Sequence, residues 1–289
     1  MPPRFLVFTV FIDIEKIETR LMIKTHDIKL ALKKKLPIII GCPHVGTDIP
    51  DDIKRTMIDG IAQATEDTDW FVHDLYRFAP EMGITLIKAN FSRFVIDLNR
   101  DPSGKSLYQD HRRQTAMVPL TTFEGKQIYL TGDVTPDEVA RRRKLYFDPY
   151  HAAINEEVKK LKTQFPHILF FDAHSIKRRM KSIRSEPFPD VIIGDNDGTT
   201  AHASLTTSAI ATLRKGGLAV AHNDPFKGGF ITRSQGRPKE SLHALQLEMS
   251  QDLYMNEHDN SRNTQKEAKI GGVLQQLFQE LNAVLESLK

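Results

Sequence analysis

The chain has a single cysteine, Cys42, in 289 residues, so no intrachain disulfide can form. Its stability does not call for an oxidising compartment, and a cytoplasmic location is the expectation. A charge excess is also missing: 40 Lys and Arg stand against 37 Asp and Glu, a formal net charge of +3. A dedicated nucleic-acid binder ordinarily carries a strong basic surplus, which argues against that class. A local basic pocket for an anionic substrate stays open. No apolar run approaches the roughly 20 residues that a membrane-spanning helix needs. The apolar run at residues 5–12 follows Arg4 but is closed at once by Asp13 and Glu15, with no small-x-small cleavage site behind it. A β-strand or extended start fits it better than a signal peptide. Internal repeats, low-complexity tracts and Pro/Gly-rich linkers are absent too, so one domain over 1–289 is expected, with 1–30 as an N-terminal extension or edge strand.

What the chain does have is an ordinary apolar share, 40% of residues, enough for a sizeable core. Apolar runs of strand length alternate with longer segments of helical period. LPIIIGC at 36–42, HILFFDA at 167–173 and DVIIG at 190–194 read as strands, as do 84–89, 94–98, 218–222 and 242–249. Residues 51–79 read as one or two helices. The stretch 136–165 reads as a long helical segment with Pro136 in its first turn. Residues 200–215 form a helix stopped by Gly216-Gly217, and 265–289 an amphipathic helix weakened near Gly271-Gly272. This alternation predicts an α/β domain with a mostly parallel sheet. Residues 101–124 have little periodicity and read as a long loop near the site.

Chemistry-bearing residues cluster at the ends of those strands. His44 follows LPIIIGC and His174 follows HILFFDA. In an open α/β sheet ligands bind beyond the carboxyl ends of the strands, so two histidines there suit a metal site. A third ligand should be a carboxylate, and Asp67, Asp69 and Asp74 crowd around Trp70. Local pattern alone favours Asp69 as a helix N-cap. Neither H-x-x-E nor H-E-x-x-H is present to fix the ligand by spacing. Arg100, beside Asn99, leaves an apolar run, and its guanidinium fork suits a carboxylate substrate, although a surface arginine paired with Asp101 would look the same. Glu248 ends the last strand, where period 2 puts it on one face with Ala244 and Gln246. A carboxylate in that place can take a proton from water and return it to a leaving amine. Cys42 ends a buried strand and reads as a small buried hydrophobe. The basic run Arg141 to Lys144 reads as a solvated helix face, or as the binding surface of a non-catalytic protein for nucleic acid or an acidic partner.

The motifs PHVGTDIP, DTDWFVHDLY, SRFVIDLNRDP, FDAHSI, GGFITR and HALQLEMSQDLYM stand in the order seen in N-formylglutamate amidohydrolases. Over about residues 37–257 the chain resembles that family, which is similar in fold to zinc carboxypeptidases and aspartoacylases. The resemblance implies a three-layer α/β fold of the phosphorylase/hydrolase-like, zinc-carboxypeptidase-like kind, with a mixed, mostly parallel sheet between helices. It implies hydrolysis of the formyl amide of N-formyl-L-glutamate, a step of histidine breakdown, or of another N-acyl amino acid or small peptide. It implies one zinc ion, with cobalt or manganese as substitutes, on His44, His174 and Asp69, and Asp67 or Asp74 as alternates to Asp69. Glu248 becomes the general base, with Arg100 stabilising the oxyanion. Asn99, Arg100, Arg93 and Arg233 become carboxylate binders, and His222 lines the site. The family's relatives have H-x-x-E where this chain has Thr47, which leaves the third ligand as the open position.

Overall fold

The computed structural model describes residues 23–64, 66–107 and 116–288. The apolar run at 5–12 lies outside the described residues. Seven strands form one sheet: β1 (His26–Lys29), β2 (Ile38–Cys42), β3 (Thr85–Ala89), β4 (Ile168–Ile176), β5 (Val191–Gly194), β6 (Val220–His222) and β7 (Leu242–Ser250), in the order β1-β3-β2-β4-β7-β5-β6. β1 and β5 run antiparallel to their neighbours β3 and β7; the other pairings are parallel.

Side-chain alternation along the central strands splits the core into two layers. Ile38, Ile40, Leu169, Phe171, Leu245 and Leu247 face one side and Ile39, Ile168, Phe170 and Ala244 the other. The short helices come first in the chain: α1 (Asp51–Lys54), α2 (Ile61–Ala64) and α3 (Val72–Leu75). Then come α4 (Pro136–Arg142), α5 (Asp148–Lys162), α6 (Ala203–Lys215), α7 (Phe230–Gln235) and α8 (Thr264–Ser287). On the first side α6 and α8 pack Leu213 and Phe278 against the sheet. On the second, α5 packs Tyr150, Ile154, Val158 and Leu161. A strand that is apolar on both faces must be covered on both, and the three-layer, mostly parallel α/β fold follows. Among the described residues no helix is long and apolar enough to cross a membrane.

The expected elements differ from the observed ones where local hydrogen bonding overrides apolar pattern. Residues 94–98 are a buried turn and not a strand. Val95 N donates to Ser92 O, Phe94 N to Ser92 Oγ and Asn99 N to the Asp97 carboxylate, while the apolar side chains stay at 0–4% exposure. The single long helix allowed at 51–79 is three four-residue helices. Gly60 and Phe71, at φ +85° and +59°, break the helical path between them. The 136–165 segment is α4 and α5 joined by a π-turn, Arg143–Phe147, just before Pro149, which has no N–H for the carbonyl four residues back. α8 runs unbroken through Gly271-Gly272. β1, at one edge of the sheet, lies within the 1–30 segment, and the small hairpin of β8 (Met255–Asn256) and β9 (Ser261–Arg262) had no clear sequence signal.

Candidate active site

β4 extends three residues beyond HILFFDA, so His174 lies within the strand and not past it. Period 2 then puts Asp172, His174 and Ile176 on one face, and register places His174 beside Glu248 of β7. His44 stands two residues past β2, the strand on the other side of β4. The carboxyl ends of three adjacent parallel strands thus deliver His44, His174 and Glu248 to one cavity, the location favoured in such sheets.

The third group is Asp69. Its backbone N–H donates to His44 O at 2.9 Å, which ties its loop to the end of β2. Its side chain is no helix cap: α3 starts at Val72, with Phe71 as its N-cap residue and no side-chain cap. Its Oδ2 lies 3.0 Å from His174 Nδ1 and 3.8 Å from His44 Nδ1. One ligand atom from each of His44, Asp69 and His174 falls within 4.8 Å of the others, and all three residues are buried. Asp74 is elsewhere, paired with Arg262 at 2.8 Å. Asp67 accepts from Phe123 N at 2.8 Å and is turned to that loop.

The outer nitrogens of both histidines are held by carboxylates. His44 Nε2 bonds Asp97 Oδ1 at 2.7 Å, and His174 Nε2 bonds Asp172 Oδ1 at 3.0 Å. An imidazole that donates from Nε2 to a carboxylate presents the Nδ1 lone pair, which is how metal-binding histidines are usually held. Asp97 is in turn gripped by Arg93 at 2.7 Å, with Arg100 at 3.7 Å. Asp172 accepts from Thr232 Oγ1 at 2.8 Å and Asn99 Nδ2 at 3.3 Å. Asp97 and Asp172 are the functional residues the sequence reading missed. Asp172 had a signal, lying two residues before His174 on one strand face. Asp97 had none, because its partner is 53 residues away.

Acidic groups gather around the histidines. Asp69, Asp97, Asp172 and Glu248 converge against Arg93 and Arg100. Burial opposes a proton on His174, yet Asp172 and Asp69 outweigh it and hold its pKa well above the usual value. Burial and Arg93 push His44 down. Loss of water pushes the Glu248 carboxyl up to about 8. The donor set, two imidazoles and a carboxylate, suits zinc.

The other sequence-derived candidates are placed differently. Arg100 and Arg93 both line the cavity. Arg93 is committed to Asp97 and Asp67 O and lies over the Phe123 ring at 4.7 Å. Asn99 reaches the cavity; its Oδ1 accepts from Ile231 N at 2.7 Å, and its Nδ2 lies 3.3 Å from Asp172 Oδ2 and 2.9 Å from His174 Nε2. A Cβ at Gly229 would stand 2.4 Å from Asn99 Nδ2, which explains a glycine in GGFITR. Arg233 bonds the carbonyls of Gly228 and Leu107. His222, at the end of β6, bonds Asp195 at 3.0 Å and is not among the cavity-lining residues. Cys42 is fully buried, and burial pushes its thiol well above the ordinary range. It is no nucleophile.

The profile of N-formylglutamate amidohydrolases matches residues 36–255. The N-formylglutamate deformylases of Pseudomonas aeruginosa and Pseudomonas putida are 36% and 35% identical to it over 226 residues. Those alignments cover 77% of this chain and 84% and 83% of theirs. The crystal structure of N-formylglutamate amidohydrolase from Ralstonia eutropha is similar at TM-score 0.78 and 29% identity, covering 92% of this chain and 99% of that one. An Agrobacterium tumefaciens protein shares the fold at TM-score 0.72 and 21% identity, over 93% and 98% of the two chains. With most of its length matched, and with its motifs gathered around one cavity, the chain belongs to the N-formylglutamate amidohydrolase family.

Proposed function

We propose that this protein hydrolyses the formyl amide of N-formyl-L-glutamate to formate and L-glutamate, using one divalent ion, zinc first and cobalt or manganese as substitutes. The observation that carries this reading is the convergence of His44, Asp69 and His174 beside Glu248, in a chain related to curated N-formylglutamate deformylases. His44 and His174 through Nδ1, and Asp69 through a carboxylate oxygen, would hold the ion. Bound there, it supplies a Lewis acid for the amide carbonyl and makes water more acidic.

The chain's own groups do the rest. In its ionised form Glu248 takes a proton from the attacking water and returns it to the amine nitrogen as the C–N bond breaks. Arg100, the more accessible of the two cavity arginines, receives a substrate carboxylate and fixes the amide over the cluster. Arg93 stays on Asp97 and, through it, keeps His44 in position. Asn99 holds α7 and Asp172 in place and keeps amide capacity that faces the cavity for the substrate carboxylate beside Arg100. The reaction is the deformylation step of histidine breakdown, in the cytoplasm.

The test is release of formate and L-glutamate from N-formyl-L-glutamate by the metal-replete protein, with N-formylglycine beside it. Turnover of the glutamate derivative, and its loss of more than about tenfold with N-formylglycine, is expected from a site that grips a second carboxylate. No release from either compound would overturn the reading.

A further inference from the structure

A formyl group carries only hydrogen on its carbonyl carbon, and it leaves one side of the cavity without a use. The sheet order fixes a row across the site. His44 follows β2, His174 lies on β4 opposite Glu248 of β7, and Glu248 lies opposite Ile192 of β5. At the β2 end of the row the surroundings are basic, because Asp97, bonded to His44, gathers Arg93 and Arg100. At the β5 end they are apolar. Ile176 and Ile192 form a buried cluster with Met180 and Phe188, and Ile183 and Phe226 pack on it. Phe226 stacks on Phe188 with ring centroids 5.6 Å apart.

Ile176, Ile183 and Phe226 line the same cavity as the histidines, and its volume is about 960 Å³. Phe123 runs along the wall between the two ends, under Arg93 and against the apolar cluster. Cavities that enclose drug-sized ligands span roughly 300–1,000 Å³, so this one far exceeds what N-formylglutamate fills. A substrate with a carboxylate at Arg100 and its amide at Glu248 would point its acyl group toward Ile176, Ile183 and Phe226. We infer that this wall is an acyl subsite, and that the protein also hydrolyses N-acyl-L-glutamates whose acyl group carries an apolar tail, a short aliphatic chain or a phenyl ring. The bond broken is the same amide bond; water adds across it and yields the free carboxylic acid and L-glutamate. The inference rests on the active-site reading proposed above.

The experiment compares kcat/KM of the metal-replete full-length chain for N-formyl-, N-acetyl-, N-butyryl- and N-hexanoyl-L-glutamate. Formyl amides are intrinsically the more reactive, so the decisive trend runs from acetyl to hexanoyl. A rise of roughly fourfold for each methylene that enters the wall is expected. Ile183→Asn should lower the hexanoyl-to-formyl ratio by about tenfold or more, and Ile183→Leu should leave that ratio within about twofold. Should Ile183→Asn fail to fold, the wild-type series decides alone. Turnover of N-formylglutamate with a steady fall from acetyl to hexanoyl, or a ratio unmoved by Ile183→Asn, overturns the acyl subsite and leaves the deformylase reading standing. If no member of the series is cleaved, the formyl compound included, both readings fall.

Discussion

Arg93 and Arg142 are both buried, at 7% and 1% exposure, and each pairs with a carboxylate four residues away. Arg142 bonds Glu138, Tyr129 Oη and Val95 O. Its neighbour Arg141 bonds Glu138 and Asp52, and Arg143 meets Asp148 at 3.3 Å. Arg141, Arg142 and Arg143 are thus answered by acids of their own segment and by α1, which fastens α4 to the domain. Arg93 differs in what its partner does next: Asp97 passes the constraint to His44 Nε2. A buried arginine serves the site when the acid it holds has a second duty. The run from Arg141 to Lys144, the more conspicuous of the two in sequence, is the structural one.

The sharpest contrast comes from substituting the site and the helix in parallel. Glu248→Gln should lower kcat by about a thousandfold, because proton transfer to and from the reacting groups is lost while the metal ligands stay intact. Stoichiometric metal in the purified variant separates this from collapse of the site. Next in size, Asp97→Asn and Asp172→Asn should each weaken metal affinity by roughly 10- to 100-fold, read by competition with a chelating dye. Unchanged affinity in both would make the carboxylates structural, like Glu138, and would break the comparison.

The smallest effect belongs to the helix. Glu138→Gln should leave kcat/KM unchanged and cost about 1 kcal/mol of stability near neutral pH, since the group is partly exposed and pairs with two arginines. Its hydrogen bond from Arg141 comes first among the causes that lower its pKa from 4.5 to about 2. The native state therefore binds fewer protons than the unfolded chain between those values. The contribution is full above about 4.5 and fades as pH falls toward 2. Urea denaturation at pH 7 and pH 3 should show the wild-type advantage shrinking. A kcat/KM loss in this variant would place α4 in the catalytic machinery.

Much of this architecture was legible because apolar pattern and strand length are local. LPIIIGC and HILFFDA could only be buried strands, and with them came the positions of His44 and His174. Glu248 was legible for the same reason, as part of an alternating strand. The residues 94–98 misled because their apolar side chains are buried as a strand's would be, while Ser92 and Asp97 take over the backbone hydrogen bonds locally. Asn99 was legible only in part. Next to Arg100 it reads as a substrate clamp, and the structure adds contacts with Ile231 and Asp172. Those partners lie 132 and 73 residues away, a distance over which no local pattern carries information.

The central claim is that His44, Asp69 and His174 act together as one metal site on which hydrolysis depends. The most direct test is calorimetric titration of zinc into the chelator-stripped full-length protein, alongside His44→Ala and His174→Ala, with N-formyl-L-glutamate turnover followed on the same samples. The account predicts one tight site per chain in the wild type, turnover that returns in step with its filling, and loss of both in each variant. Undiminished zinc binding in both variants, or full turnover by the stripped protein, would contradict it.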